Sequence, residues 1–273
     1  MQLSINTTVS FIALSIAGSA FAHISYTNRN FGTLTDVGSS INNQLVSSAY
    51  GWADATDADW GDTHRTRFFR FNVAADGTQV RIAVQRNANA SATGAQGTFL
   101  PAFSLYSGLA QLSSPLGHDG AALSVQWLTN TFGNTAGFGL GGSGKEGVLN
   151  ALGNWSIGNS VSNTIVDPAD VLRSFTYIGH AADGTADNYG AASGIIGDGN
   201  ADGDVYAVFT LAAGDYSLCV GGADYAKQLT QTGPTFPTYG VNVSVGVVPA
   251  PGAVALLAIA GMAGSRRRKV GGA

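Results

Sequence analysis

The stretch Asp198-Gly-Asn-Ala-Asp-Gly203 sets oxygen-bearing side chains at alternate positions, and Asp204 follows directly. Carboxylate and amide oxygens spaced in this way converge on one hard cation, and glycine permits the sharp turn such a loop needs. The stretch matches the first half of a calcium loop, which makes Asp198, Asn200, Asp202 and Asp204 candidate calcium ligands. An EF-hand is excluded, because its last ligand position falls on Phe209, where a bidentate Glu is required. A partial calcium site in a β-loop and a plain polar Asp/Gly turn are the two readings left. Asp54, Asp57, Asp59 and Asp62 form a second acidic cluster, whose carboxylates repel one another unless solvated or bridged by a cation.

Other chemistries find less support. Gly139-Leu-Gly-Gly-Ser-Gly-Lys145 resembles a phosphate-binding loop, but Glu146 stands where a hydroxyl would reach magnesium. Nucleotide is therefore not expected as a partner. His23, His64, His118 and His180 are widely spaced, with no pair at metal-ligand spacing. No serine sits in a Gly-x-Ser-x-Gly elbow, so no catalytic residue is assigned. Cys219 is the single cysteine and lies in the apolar run Tyr216–Val220, where a buried, inert thiol is expected. Trp60, between Asp59 and Asp62, is the candidate sugar-stacking ring, with core packing as the competing role.

These residues need a scaffold, and composition names its class. Of 273 residues 38 are Gly and 11% are charged, while aromatics reach 10%. Glu146 is the only glutamate among 17 acidic residues, and Lys145, Lys227 and Lys269 are the only lysines. Asp favours turns and caps, whereas Glu and Lys furnish the outer faces of amphipathic helices. An all-β fold with Gly- and Asp-rich loops follows. Period-2 alternation marks strands at Phe69–Val73, Gln79–Val84, Phe103–Tyr106, Ser124–Trp127, Phe175–Ile178, Val205–Leu211, Tyr216–Val220 and Tyr239–Val245. Ala-Ala-Asp-Gly between the first two of these reads as a hairpin turn, and Ala-Ala-Gly-Asp between Leu211 and Tyr216 repeats the device. An acidic stretch precedes each unit, so two similar units are candidates to pair across a sandwich. Val148–Trp155 is a candidate short helix.

The ends differ from the middle. Residues 9–22 are apolar and close on Ala20-Phe21-Ala22, the small-x-small pattern of a signal peptidase site, with cleavage expected before His23. An N-terminal His23 would be able to chelate copper, an idea resting on that cleavage site alone. At the other end Val248-Pro-Ala-Pro251 leads into about a dozen apolar residues and then Arg266, Arg267, Arg268 and Lys269. The apolar run falls short of the ~20 residues of a comfortable membrane span. Without those four basic residues the balance is nine against seventeen, a charge of −8, which repels nucleic acid and attracts cations.

Two resemblances follow. The order Pro249-x-Pro251, apolar helix, Arg cluster resembles the PEP-CTERM sorting tag, with Ala250 where that family usually has Glu. It implies an exosortase-type membrane protease as a transient partner, a polysaccharide-producing Gram-negative host, and transient inner-membrane anchoring. Asp202-Gly-Asp204-Val-Tyr206, Ala213-Gly-Asp-Tyr216 and Pro101–Gly108 resemble bacterial prepeptidase C-terminal domains. That resemblance implies a jelly-roll-like β-sandwich with an accessory role, sometimes calcium-assisted. The expected layout is a signal peptide over 1–22 with a signal helix, a sandwich over 23–247, and a sorting tag over 248–273 with an apolar helix. The expected function is that of a non-catalytic, exported surface protein held in extracellular polysaccharide. A calcium-assisted carbohydrate-binding module and a secreted hydrolase are the alternatives, and calcium is the only cofactor the motifs point to.

Overall fold

In the computed structural model, residues 24–35, 38–52, 60–90, 98–110, 148–158, 172–189, 194–228 and 236–249 are described. Their strands are β1 (Asn30–Thr33), β2 (Ser39–Ser47), β3 (Trp60–Asp62), β4 (Arg67–Val73), β5 (Thr78–Arg86), β6 (Pro101–Ser107), β7 (Val148–Asn150), β8 (Trp155–Gly158), β9 (Leu172–Ala182), β10 (Asp204–Leu211), β11 (Gly214–Gly222) and β12 (Thr238–Val247). Single-turn helices α1 (Ala186–Tyr189) and α2 (Tyr225–Gln228) complete the set. The fold is all-β, as the composition implies. A six-stranded sheet runs β1-β4-β11-β6-β9-β8, a four-stranded sheet runs β10-β5-β12-β2, and β3 pairs with β7.

Alternation decides which residues meet between the two larger sheets. Phe69, Phe71 and Val73 of β4, Leu105 of β6, and Leu218 and Val220 of β11 face Val80, Ile82 and Val84 of β5 and Val241, Val243 and Val245 of β12. The opposite face of the six-stranded sheet is buried as well. Phe68, Tyr106, Trp155, Phe175 and Cys219 form a second core there, with Trp52 and Leu149. Trp155 and Phe175, paired across β8 and β9, stack with centroids 4.5 Å apart. Polar tips anchor this cover: Trp52 Nε1 donates to Ser104 (2.8 Å), Ser104 to the Ala151 carbonyl (2.6 Å), and the Tyr106 hydroxyl to the Asn150 carbonyl (2.6 Å).

The two expected hairpins do not form. β4 and β5 lie in opposite sheets, as do β10 and β11. β4 pairs instead with β11 (Phe71 opposite Tyr216), and β5 with β10 (Ile82 opposite Ala207). The two Ala-Ala turns therefore carry the chain over the edge of the core. Asp76 in one corner accepts the Ala213 N–H of the other (2.7 Å), and the Tyr216 hydroxyl donates to the Ala212 carbonyl (2.7 Å). The strands alternate as a hairpin would, but their apolar faces close on each other across the sandwich, which buries both. The two similar units thus do pair across the sandwich, by exchanging strands.

Val148–Trp155 holds no helix. It forms β7, a turn and the start of β8, because Leu149 and Ala151 are drawn into the second core. The Ser124–Trp127 strand candidate and both terminal helices lie outside the described residues. Among the described residues no helix is long and apolar enough to cross a membrane.

Two outcomes test this packing. Leu218 has no exposed surface, so Leu218→Ala should lower unfolding free energy by about 2–5 kcal/mol in urea titration. Burial pushes the Cys219 thiol up to about 12, so iodoacetamide at pH 8 should leave it unmodified until the protein unfolds.

Candidate metal centre

β9 belongs to the six-stranded sheet and β10 to the four-stranded one, so residues 183–203 carry the chain from one to the other at one end of the sandwich. This connection turns back on itself. Ala182 bridges Gly197 in parallel, Asp198 N–H donates to the Ala182 carbonyl (3.0 Å), and Gly199 N–H to the Gly184 carbonyl (3.1 Å). Gly184, Gly199 and Gly203 hold φ values of 118°, 90° and 91°, a region L side chains rarely enter.

Asp183, the first residue past β9, is the pivot. It is fully buried, and its two carboxylate oxygens accept the N–H groups of Asp202 (3.0 Å) and Gly203 (2.7 Å). Asp198 Oδ1 accepts the N–H groups of Gly184 and Asn200 (both 3.1 Å), and Asp202 Oδ1 that of Asp204 (3.0 Å). Oxygens of Asp183, Asp198 and Asp202 all lie within 4.8 Å of one another. Burial raises the Asp183 carboxyl to about 6; the two backbone donors oppose this and the neighbouring carboxylates reinforce it.

Tyr189 of α1 packs against this loop at Gly197. It is 2% exposed, and its hydroxyl has no hydrogen-bond partner among the described residues. A Cβ on Gly197 would stand 2.4 Å from that hydroxyl, so glycine beside Asp198 is what lets the phenol in. Burial, and then Asp198 and Asp183, hold the phenol above its ordinary value. A buried hydroxyl without a partner costs about 1–3 kcal/mol.

The sequence motif is only half realised. Asp198 and Asp202 converge, but with Asp183, fifteen residues upstream of Asp198; Asp204 is not among the converging carboxylates, and Asn200 meets Asp198 through its backbone N–H. Asp183 was missed because nothing in local spacing ties it to that loop; only the strand end before it hinted at a turn. In the second acidic cluster Asp62 is engaged by Arg65 Nε (2.8 Å) and by the His64 N–H (2.8 Å). Asp54, Asp57 and Asp59 lie outside the described residues, as do His23, His118, Ala20, Ala22, Pro251, Arg266, Arg267, Arg268 and the phosphate-loop-like segment. Pro249 is exposed two residues beyond β12. Trp60 opens β3 opposite Asn150, while Trp52 and Trp155 are buried in the core.

No family model matches the chain, and no curated protein matches it. Solved structures similar to it include two copper-binding proteins. One is CorA, a surface-associated copper-binding protein important in Methylomicrobium album BG8 copper acquisition. It has 17% identity and a TM-score of 0.45 over 83% of this chain and 99% of that one. The other is the Methylococcus capsulatus secreted protein MopE, in which an oxidised tryptophan facilitates copper binding. It has 18% identity and a TM-score of 0.41 over 81% of this chain and 87% of that one. Both are described as copper-binding proteins, and the expectation of calcium as the possible cofactor finds no support there. Calcium takes six to eight oxygens, and among the described carboxylates Asp204 does not join the three that come together.

His180, near the end of β9, bears on pH. Its Nε2 accepts the Ile196 N–H (2.9 Å) and its Nδ1 meets the Tyr177 hydroxyl. The Nε2 acceptor places the ring proton on Nδ1, by inference from this network. Burial lowers the His180 value, and the backbone donor at Nε2 leaves no place for a second proton. The unfolded chain therefore takes up the proton first, and the stability this histidine contributes above its unfolded value near 6.5 is lost as pH falls through the lower folded value. Asp183, raised in the fold, acts with the opposite sign. In EDTA, His180→Asn should lose less melting temperature than the parent between pH 7 and pH 5 in calorimetry; an equal loss would exclude this role.

Proposed function

We propose that the chain is a non-catalytic, exported surface protein, processed at both ends and held in extracellular polysaccharide. The observation that carries this reading is the pair of terminal signals, Ala20-Phe21-Ala22 and Pro249-x-Pro251 with its apolar run and Arg266–Arg268, around an acidic β-domain. A sandwich buried on both faces of its larger sheet suits a domain that works outside the cell without a disulfide. A hydrolase is disfavoured at His180, where both ring nitrogens are already engaged, so that residue offers no base to a serine.

The outer face of the four-stranded sheet supports a polysaccharide partner. Tyr206 and Val208 on edge strand β10 are 62% and 50% exposed, and Arg81 lies over the Tyr206 ring at 4.5 Å. An exposed ring beside a fixed guanidinium offers both stacking and hydrogen bonding to an anionic sugar chain.

Cell fractionation of the native host with mass spectrometry tests the reading. The chain should appear at the surface or in the matrix, lacking residues 1–22 and its basic tail. Recovery of the intact chain from the cytoplasm would overturn it. In pull-down with the host's own polysaccharide, Tyr206→Ala should weaken retention about fivefold or more, as expected for an anchor worth ~1 kcal/mol.

A further inference from the structure

We propose that Asp183, Asp198, Asp202 and the Tyr189 hydroxyl together bind one divalent first-row transition-metal cation. Three observations converge. First, the three carboxylates crowd within 4.8 Å although one of them is fully buried, an arrangement of like charges that a cation relieves. Arg86, the nearby cation, does not serve: its Nη2 donates to the Asp202 carbonyl (3.1 Å), not to a carboxylate. Second, the carboxylates are held in place from behind while keeping capacity in front. Among the described residues Oδ2 of Asp198 and Oδ2 of Asp202 carry no hydrogen bond, and each Asp183 oxygen accepts a single N–H and so keeps a second lone pair. Backbone donors that orient ligands in this way are what metal sites place in their outer layer.

Third, and independently of the acids, Tyr189 brings an unpartnered hydroxyl to the same place. It is 2% exposed and lies against Gly197, the neighbour of Asp198. Buried hydroxyls are almost always satisfied, and this one, within electrostatic reach of Asp198 and Asp183, bonds to no atom among the described residues. A cation held by the carboxylates supplies its partner.

The donor set selects the ion. Three carboxylates and one phenol make an all-oxygen set of hard donors, which among first-row ions suits Mn²⁺ by hardness, with water completing the shell. Affinity among first-row divalent ions rises to Cu²⁺ and falls at Zn²⁺, which makes Cu²⁺ the probe. This inference does not rest on export or on polysaccharide binding, and its test leaves those untouched.

The experiment titrates the full chain with Cu²⁺ and follows calorimetry, thermal unfolding and electron paramagnetic resonance. One equivalent should bind with a signal free of nitrogen hyperfine structure and should raise the melting temperature. Asp198→Asn with Asp202→Asn keeps the exposed loop's N–H acceptors. It should weaken Cu²⁺ binding by more than the roughly 10–100-fold that outer-layer changes cost, while the metal-free melting temperature stays near that of the parent. Tyr189→Phe removes only the hydroxyl and should weaken binding roughly 10-fold or more. Unchanged affinity in the double variant, or nitrogen hyperfine structure on the first equivalent, would overturn the site. A larger thermal shift with Ca²⁺ than with Cu²⁺ at equal concentration would overturn the choice of ion.

Discussion

Consecutive strands that lie in opposite sheets are the constraint on which this structure depends. β4 and β5 leave one another at Ala74–Gly77, β10 and β11 do the same at Ala212–Ala213, and each strand finds its hydrogen-bonding partner in the other unit. The apolar sides of all four strands then face inward across one core, from Phe69 and Leu218 on one sheet to Ile82 and Val205 on the other. Asp76 and Tyr216 bind the two corners where the exchange happens. A chain without disulfides gains its order from this interlocking and from the burial that accompanies it.

The same exchange creates the place for chemistry. The connection from β9 to β10 must cross between sheets, and Asp183 receives it with both carboxylate oxygens. A buried acid at a crossover holds the loop by hydrogen bonds to its N–H groups, and it also brings Asp198 and Asp202 toward itself. Positioning and charge crowding thus have one origin. The burial that fixes Asp183 also raises its carboxyl to about 6, against the pull of its two donors.

The faces of the molecule divide in character. One side of the six-stranded sheet is roofed by an aromatic cluster around Trp52, Tyr106, Trp155 and Phe175, which leaves those rings no ligand to meet. The outer side of the four-stranded sheet keeps Tyr206 and Val208 in solvent. Trp52 and Trp155 are used for packing, and a tyrosine on an edge strand, Tyr206, is the exposed ring.

Local pattern by itself determined the all-β class, most strand positions and the inert character of Cys219, because alternation and residue type act over a few neighbours. It also marked both termini as distinct in kind, and it marked 198–204 as an acidic turn. Tertiary structure alone decided which strands pair. A four-residue turn is equally compatible with a hairpin and with a corner between sheets, and the choice belongs to long-range burial. Tertiary structure also brought Asp183 beside Asp198 and Asp202, since side-chain clusters are assembled by proximity in space, and β9 ends where no sequence spacing could have placed it.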